Sequence, residues 1–180
     1  MSIRSVCVYC ASNRAAPENM RRLARLVGTG LAERGIRLVY GGASIGMMGE
    51  VADAVLSGGG EAVGVIPENL MIKEVAHEGL TELVVTEDMH SRKMKMFELS
   101  DAFVSLPGGL GTLEETLEII TWKYLGIHIR PVILLNHEGF FDNLLAQFAR
   151  CREDGVMREG LEGLWRVCSD IDELFSALAA

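Results

Sequence analysis

Short runs of aliphatic and β-branched residues alternate along the chain with amphipathic stretches of helical length. The runs are Ser5–Cys10, Arg37–Tyr40, Ala62–Ile66, Leu83–Thr86, Ala102–Leu106 and Val132–Leu135. Strands that are apolar on both faces and separated by helices specify a parallel sheet covered on each side. The expected fold is therefore α/β: a Rossmann-like, doubly wound parallel sheet with helices on both faces, in a single domain spanning residues 1–180. Local signals mark the helices between the strands. Pro17 suits an opening turn and Gly35 a left-handed stop, so the first helix is expected from Pro17 to Arg34. A second follows the loop Gly41–Gly49 and ends at Gly58–Gly60. Asp88 is placed to cap a helix from Met89 to Ser100, and Thr112 to cap one that reaches Leu125. Two more cover Phe140–Glu153 and Asp170–Ala179. No repeat or linker divides the pattern.

In open α/β sheets ligands bind beyond the carboxyl ends of the strands, where loops enter helix N-termini. Two glycine-rich loops occupy such places: Gly41-Gly-Ala-Ser-Ile-Gly46-Met-Met-Gly49 after the second strand, and Pro107-Gly108-Gly109-Leu110-Gly111-Thr112 after the fifth. Glycine lets the backbone approach a ligand and turn its N–H groups outward, and the helix dipole adds positive potential there. Tight turns alone would account for one such loop; a pair at one sheet edge points to a phosphate. Met47 and Met48 stand where a Walker A loop needs Lys and Ser/Thr, which argues against Mg-NTP chemistry. Ala11-Ser12-Asn13-Arg14 after the first strand has no G-x-G-x-x-G, which argues against a dinucleotide dehydrogenase.

Composition narrows the partners. The 180 residues are 49% hydrophobic, enough for one well-buried core, and the formal net charge of -8 disfavours a nucleic-acid backbone as ligand. No apolar run approaches the roughly 18 residues of a membrane span, and the N-terminus leads straight into a strand, so a cytoplasmic protein without membrane contact is expected. The four cysteines form no disulfide framework. Cys7-x-x-Cys10 lies in a strand, where residues three apart face opposite ways, so neither a metal site nor a redox pair is expected.

Against the acidic background, Met89-His90-Ser91-Arg92-Lys93-Met94-Lys95 places cations in the first turns of a helix, where the dipole opposes them. A bound anion would reverse that cost, and a solvated basic face is the plainer alternative. His90 fits a surface or packing role better than catalysis. Thr112-x-x-Glu115 is by itself a capping box, yet a carboxylate fixed near a phosphate loop is also well placed to orient a water or a ribose hydroxyl. Glu114 and Glu118 read as solvated. Glu74, in the long loop from Pro67 to His77, could likewise face the ligand.

Pro107-Gly-Gly-Leu-Gly-Thr-Leu-Glu-Glu115, read as P-G-G-x-G-T-x-x-E, together with Met89-His-Ser-Arg-Lys93, resembles the paired motifs of the LOG (LONELY GUY) family of cytokinin riboside 5′-monophosphate phosphoribohydrolases. The likeness runs over nearly the whole chain. The resemblance implies hydrolysis of the N-glycosidic bond of a nucleoside 5′-monophosphate without cofactor or metal. It makes Arg92 and Glu115 the catalytic pair. Glu74, Lys93, Gly108, Gly109, Leu110, Gly111, Thr112, Leu113, Glu114 and Thr121 would line the nucleotide site. It also implies a homodimer with the active site near the subunit interface. Cys10-Ala11-Ser12 and Gly41-Gly42-Ala43 depart from the common Cys-Gly-Ser and Gly-Gly-Gly, each adding a methyl group. Two competing expectations remain: a broader nucleotide hydrolase acting on AMP, and a non-catalytic carrier of a phosphorylated ligand, of the molybdenum-cofactor type. The lysine decarboxylase activity ascribed to some relatives finds no lysine in a fitting pyridoxal-phosphate context.

Overall fold

The computed structural model describes residues 3–71, 75–157 and 163–180. Seven strands form one sheet in the order β4-β3-β2-β1-β5-β6-β7, and every neighbouring pair is parallel. They are β1 (Ser5–Tyr9), β2 (Arg37–Tyr40), β3 (Ala62–Pro67), β4 (Glu82–Thr86), β5 (Ala102–Ser105), β6 (Val132–Leu135) and β7 (Arg166–Cys168). The helices are α1 (Glu18–Glu33), α2 (Gly46–Ser57), α3 (Met89–Glu98), α4 (Leu110–Tyr124), α5 (Asp142–Glu153) and α6 (Ile171–Ala179), with short 3₁₀ turns at Glu68–Leu70 and His137–Gly139. The expected α/β class and the doubly wound sheet are both present.

Both faces of the sheet are dry. Val6, Val8 and Cys10 pack with Leu38, Tyr40 and the apolar sides of α1, α2 and α6, whereas Cys7 and Tyr9 join Phe103, Met96, Ile119 and Phe148 on the opposite face. This alternation along β1 is why its sequence is apolar throughout, and it puts Cys7 and Cys10 on opposite faces of the sheet as expected. Burial pushes both thiols well above the ordinary cysteine range, with the Glu115 carboxylate adding to the effect.

The chain winds outward in two directions from β1 and β5, which lie side by side at the centre. That reversal of strand order leaves a crevice at their carboxyl ends, because the connections on either side run to opposite halves of the sheet. The loops after β1, β2 and β5 and the start of α3 all converge there.

Three local expectations need correction. β7 was not expected: Arg166 and Val167 are exposed and only Cys168 is buried, so this short edge strand has no apolar run to mark it. The second helix starts at Gly46 instead of after Gly49. Gly46 adopts φ +63°, and a side chain there would press on the backbone of residues 11–13. The fourth helix begins at Leu110 with Gly109 as its N-cap, so Thr112 sits inside the first turn and does not cap. Asp88 does cap α3, its carboxylate accepting from the Ser91 N–H at 2.7 Å.

Candidate functional site

The crevice holds a cavity of about 300 Å³. One wall is the turn after β5. Gly109 and Gly111 have open space where a Cβ would project, while a Cβ at Gly108 would collide with the Thr112 side chain. The first two glycines thus keep the backbone bare toward the cavity, and the third lets Thr112 pack beneath it. The first intrahelical bond runs from the Leu113 N–H to the Gly109 carbonyl at 3.0 Å. The preceding amides at Leu110, Gly111 and Thr112 therefore lie ahead of the ladder at the positive end of α4, suited to an anion.

This turn is anchored from below. The Thr116 hydroxyl donates to the Thr112 carbonyl at 2.6 Å, so it accepts from the Ser105 hydroxyl, also 2.6 Å away. Both hydroxyls are buried, and together they fasten the end of β5 to the start of α4.

A buried ion pair stands over the turn. Arg92, on α3, is 3% exposed and Glu115, on α4, 6%. An Nη of Arg92 lies 3.9 Å from a Glu115 oxygen, within ion-pair range but beyond a hydrogen bond. The guanidinium is otherwise poorly satisfied. It donates a long bond of 3.4 Å to the Gly41 carbonyl and approaches the Met89 sulfur at 3.6 Å, and its buried Nε–H has no hydrogen-bond partner among the described residues. Burying a cation with donors unused is costly, which makes Arg92 a strong acceptor-seeking group at the cavity edge. Room for it exists only because residue 41 is glycine: a Cβ there would overlap the guanidinium.

The cavity gathers Arg92, Gly109, Leu110, Gly111, Thr112 and Glu115 of the residues expected to line the site. Others sit elsewhere. Lys93 bridges Glu114 at 2.6 Å and Glu118 at 2.9 Å, so Glu114 and Glu118 are paired across the helices instead of simply solvated. Burial opposes the charge on Lys93, but the two carboxylates outweigh it and hold the ammonium's pKa above the ordinary lysine value. Thr121 donates to the Leu117 carbonyl at 2.7 Å and borders a separate apolar groove of about 410 Å³ between α4, α5 and Trp165. Gly108 and Leu113 do not line the cavity, and Glu74 lies outside the described residues. Cys10, Asn13, Met48, Leu70 and Met89 also line the cavity, without having been named as site residues. Cys10 and Asn13 flank Ala11 and Ser12 at the end of the central strand, a position that was itself a signal; Met48, buried, reads as core, and apolar Leu70 and Met89 carry no chemistry that would mark them. Ala11 lines the cavity with its added methyl group, whereas Ala43 is buried in the core.

Comparison with known proteins bears on what such a site does. A family model described as possible lysine decarboxylase matches residues 48–178. Cytokinin riboside 5′-monophosphate phosphoribohydrolase of Rhodococcoides fascians is 43% identical over 97% of this chain and 89% of its own length. The LOG1 enzyme of that name from Arabidopsis thaliana is 47% identical over 86% of this chain and 72% of its own. The chain belongs to the LOG family. Among solved structures, the Moco carrier protein from Chlamydomonas reinhardtii superposes with a TM-score of 0.72, covering 97% of this chain and 94% of that one at 23% identity. At that identity the likeness carries the fold alone. Of the two sequence motifs, Arg92 of the one and Gly109, Leu110, Gly111, Thr112 and Glu115 of the other line this cavity together.

Proposed function

We propose that this LOG-family protein hydrolyses the N-glycosidic bond of cytokinin riboside 5′-monophosphates, releasing the free base and ribose 5-phosphate. The observation that carries the reading is the buried Arg92–Glu115 pair at the rim of a cavity that a bare helix N-terminus also lines. The names of relatives 43 to 51% identical to this chain support the same chemistry. In this reading the amides of Leu110, Gly111 and Thr112 hold the 5′-phosphate and orient the anomeric carbon. The C1′–N bond breaks with its electron pair going to the base, leaving positive charge on the ribose. Glu115 stabilises that charge and accepts a proton from the water that attacks C1′. Arg92, permanently charged, steadies the negative charge that develops on the departing base, which ends by taking the proton. Glu74 would complete the ribose contacts.

The whole chain acts as one unit in this reading, in the cytoplasm and as a homodimer. Exposed Leu110, Leu117, Leu125, Ile127 and Ile129 on and beyond α4 support a subunit contact beside the site. No helix of the described residues is long and apolar enough to cross a membrane.

A substrate panel tests the proposal. Isopentenyladenosine 5′-monophosphate and AMP are incubated with the protein and free base is followed by chromatography. Release of isopentenyladenine faster than adenine is expected. Preference for AMP would replace the cytokinin assignment with a general nucleotide hydrolase, and tight binding without release from either would replace it with a carrier.

A further inference from the structure

Resting on that hydrolase reading, we infer that Asn13 is a further substrate-binding residue, whose side-chain amide donates to the 5′-phosphate alongside the amides of α4. Asn13 belongs to neither motif, and what marks it is the division of labour within its carboxamide. The Oδ1 accepts from the Ala15 N–H at 2.8 Å, and the main-chain carbonyl accepts from the Ala16 N–H at 3.1 Å. This Asx turn settles which end of the amide is which, since only the oxygen can accept from a backbone N–H. It leaves both N–H donors of Nδ2 without a hydrogen-bond partner among the described residues. Asn13 lines the same cavity as Arg92, Leu110, Gly111 and Thr112.

The sheet brings this donor level with the phosphate turn. β1 and β5 are neighbours, Tyr9 lies opposite Ser105, and the Leu106 N–H donates to the Tyr9 carbonyl at 2.9 Å. Parallel strands about 4.8 Å apart release their loops side by side. Asn13 is the fourth residue past Tyr9, and Gly109, the N-cap of α4, is the fourth past Ser105. The start of α2 holds the loop as well. The Met48 N–H donates to the Ala11 carbonyl at 3.2 Å, and Gly46 packs so closely on residues 11–13 that a Cβ there would come within 2.6 Å of the Ser12 carbonyl carbon. A donor on a loop fixed in this way binds without a large cost of ordering it. The ligand class follows from the donors: a phosphate has more acceptor capacity in its terminal oxygens than the amides of one helix end exhaust, and a neutral amide adds donors without an extra cation to compete with Arg92 for Glu115.

The test is Asn13→Asp, which keeps an oxygen for the Ala15 N–H and replaces the donors with a charged acceptor. Steady-state kinetics on isopentenyladenosine 5′-monophosphate are expected to show KM raised at least about tenfold, the scale of a lost hydrogen bond to a charged group, with kcat within a few-fold of wild type. Asn13→Ser is neutral and can still accept from the Ala15 N–H, so it separates lost donors from added charge; a KM rise of about tenfold is expected there too. Ribose 5-phosphate is expected to inhibit both variants more weakly than wild type by the same factor, whereas isopentenyladenosine, which lacks the phosphate, inhibits all three proteins alike. Melting temperatures check folding, and should Asn13→Asp not fold, Asn13→Ser carries the same reading. Wild-type KM in a folded variant, a fall in kcat at unchanged KM, or equal weakening of the riboside would each overturn the inference, the last by moving the contact to the ribose or the base. Wild-type protein that releases no base would instead remove the underlying hydrolase reading. Calorimetric titration of ribose 5-phosphate into wild type and Asn13→Ser then decides the contact by itself: weaker binding by the variant upholds it, and equal binding overturns it.

Discussion

At Gly41 the missing side chain matters because the Arg92 guanidinium fills the space a Cβ would take. The backbone there has no left-handed conformation to require glycine, so the constraint is steric. Gly41→Ala is expected to push the guanidinium from Glu115 and lower kcat by about ten- to a hundredfold, with the melting temperature close to wild type. Unchanged kcat would mean that Arg92 has no fixed place. Reading the sequence brought out Gly41 as part of a loop and Arg92 as part of a basic cluster, but not that one accommodates the other. Their separation of 51 positions is a long-range relation that no local pattern encodes. Lys93 illustrates the same limit: the resemblance gives it to the substrate, whereas its carboxylate partners lie on another helix. Thr112 and Glu115 fit a capping box by spacing, and only the earlier start of α4 at Leu110 removes that role.

Strands and helices were more legible than their ends. The six apolar runs all became strands because a sheet buried on both faces needs continuous hydrophobicity, a signal local to each strand. β7 escaped for the complementary reason, being an edge strand with one buried residue. One polar side chain holds the central pair of strands at its amino end. Asp101 accepts from the Arg4 N–H, the Ser5 N–H and the Ser5 hydroxyl at 2.9 to 3.1 Å, tying the start of β5 to β1. Burial works against its charge, but these bonds prevail and hold its carboxyl below the ordinary aspartate value. A folded-state value lower than the unfolded one stabilises the fold above the unfolded pKa, and the contribution is lost as pH falls through the folded value. Asp101→Asn is accordingly expected to melt below wild type at neutral pH, with the gap closing as pH drops below about 4. A gap independent of pH would show that the charge contributes nothing.

The molecule as a whole brings one crevice to the centre of the sheet, where the winding direction reverses, and assembles the site there from the loops after β1, β2 and β5 and the start of α3. That location was legible from the alternation of strands and helices alone. The fold does not decide the chemistry, since a Moco carrier protein has the same architecture at 23% identity. In the proposed reading the buried Arg92–Glu115 pair carries the chemistry, so the most direct measurement is on that pair. Single-turnover release of base from isopentenyladenosine 5′-monophosphate by Glu115→Gln, in protein that melts like wild type, is expected to be at least about a hundredfold slower than wild type. Release at the wild-type rate would contradict the account, because the carboxylate would then have no part in breaking the bond.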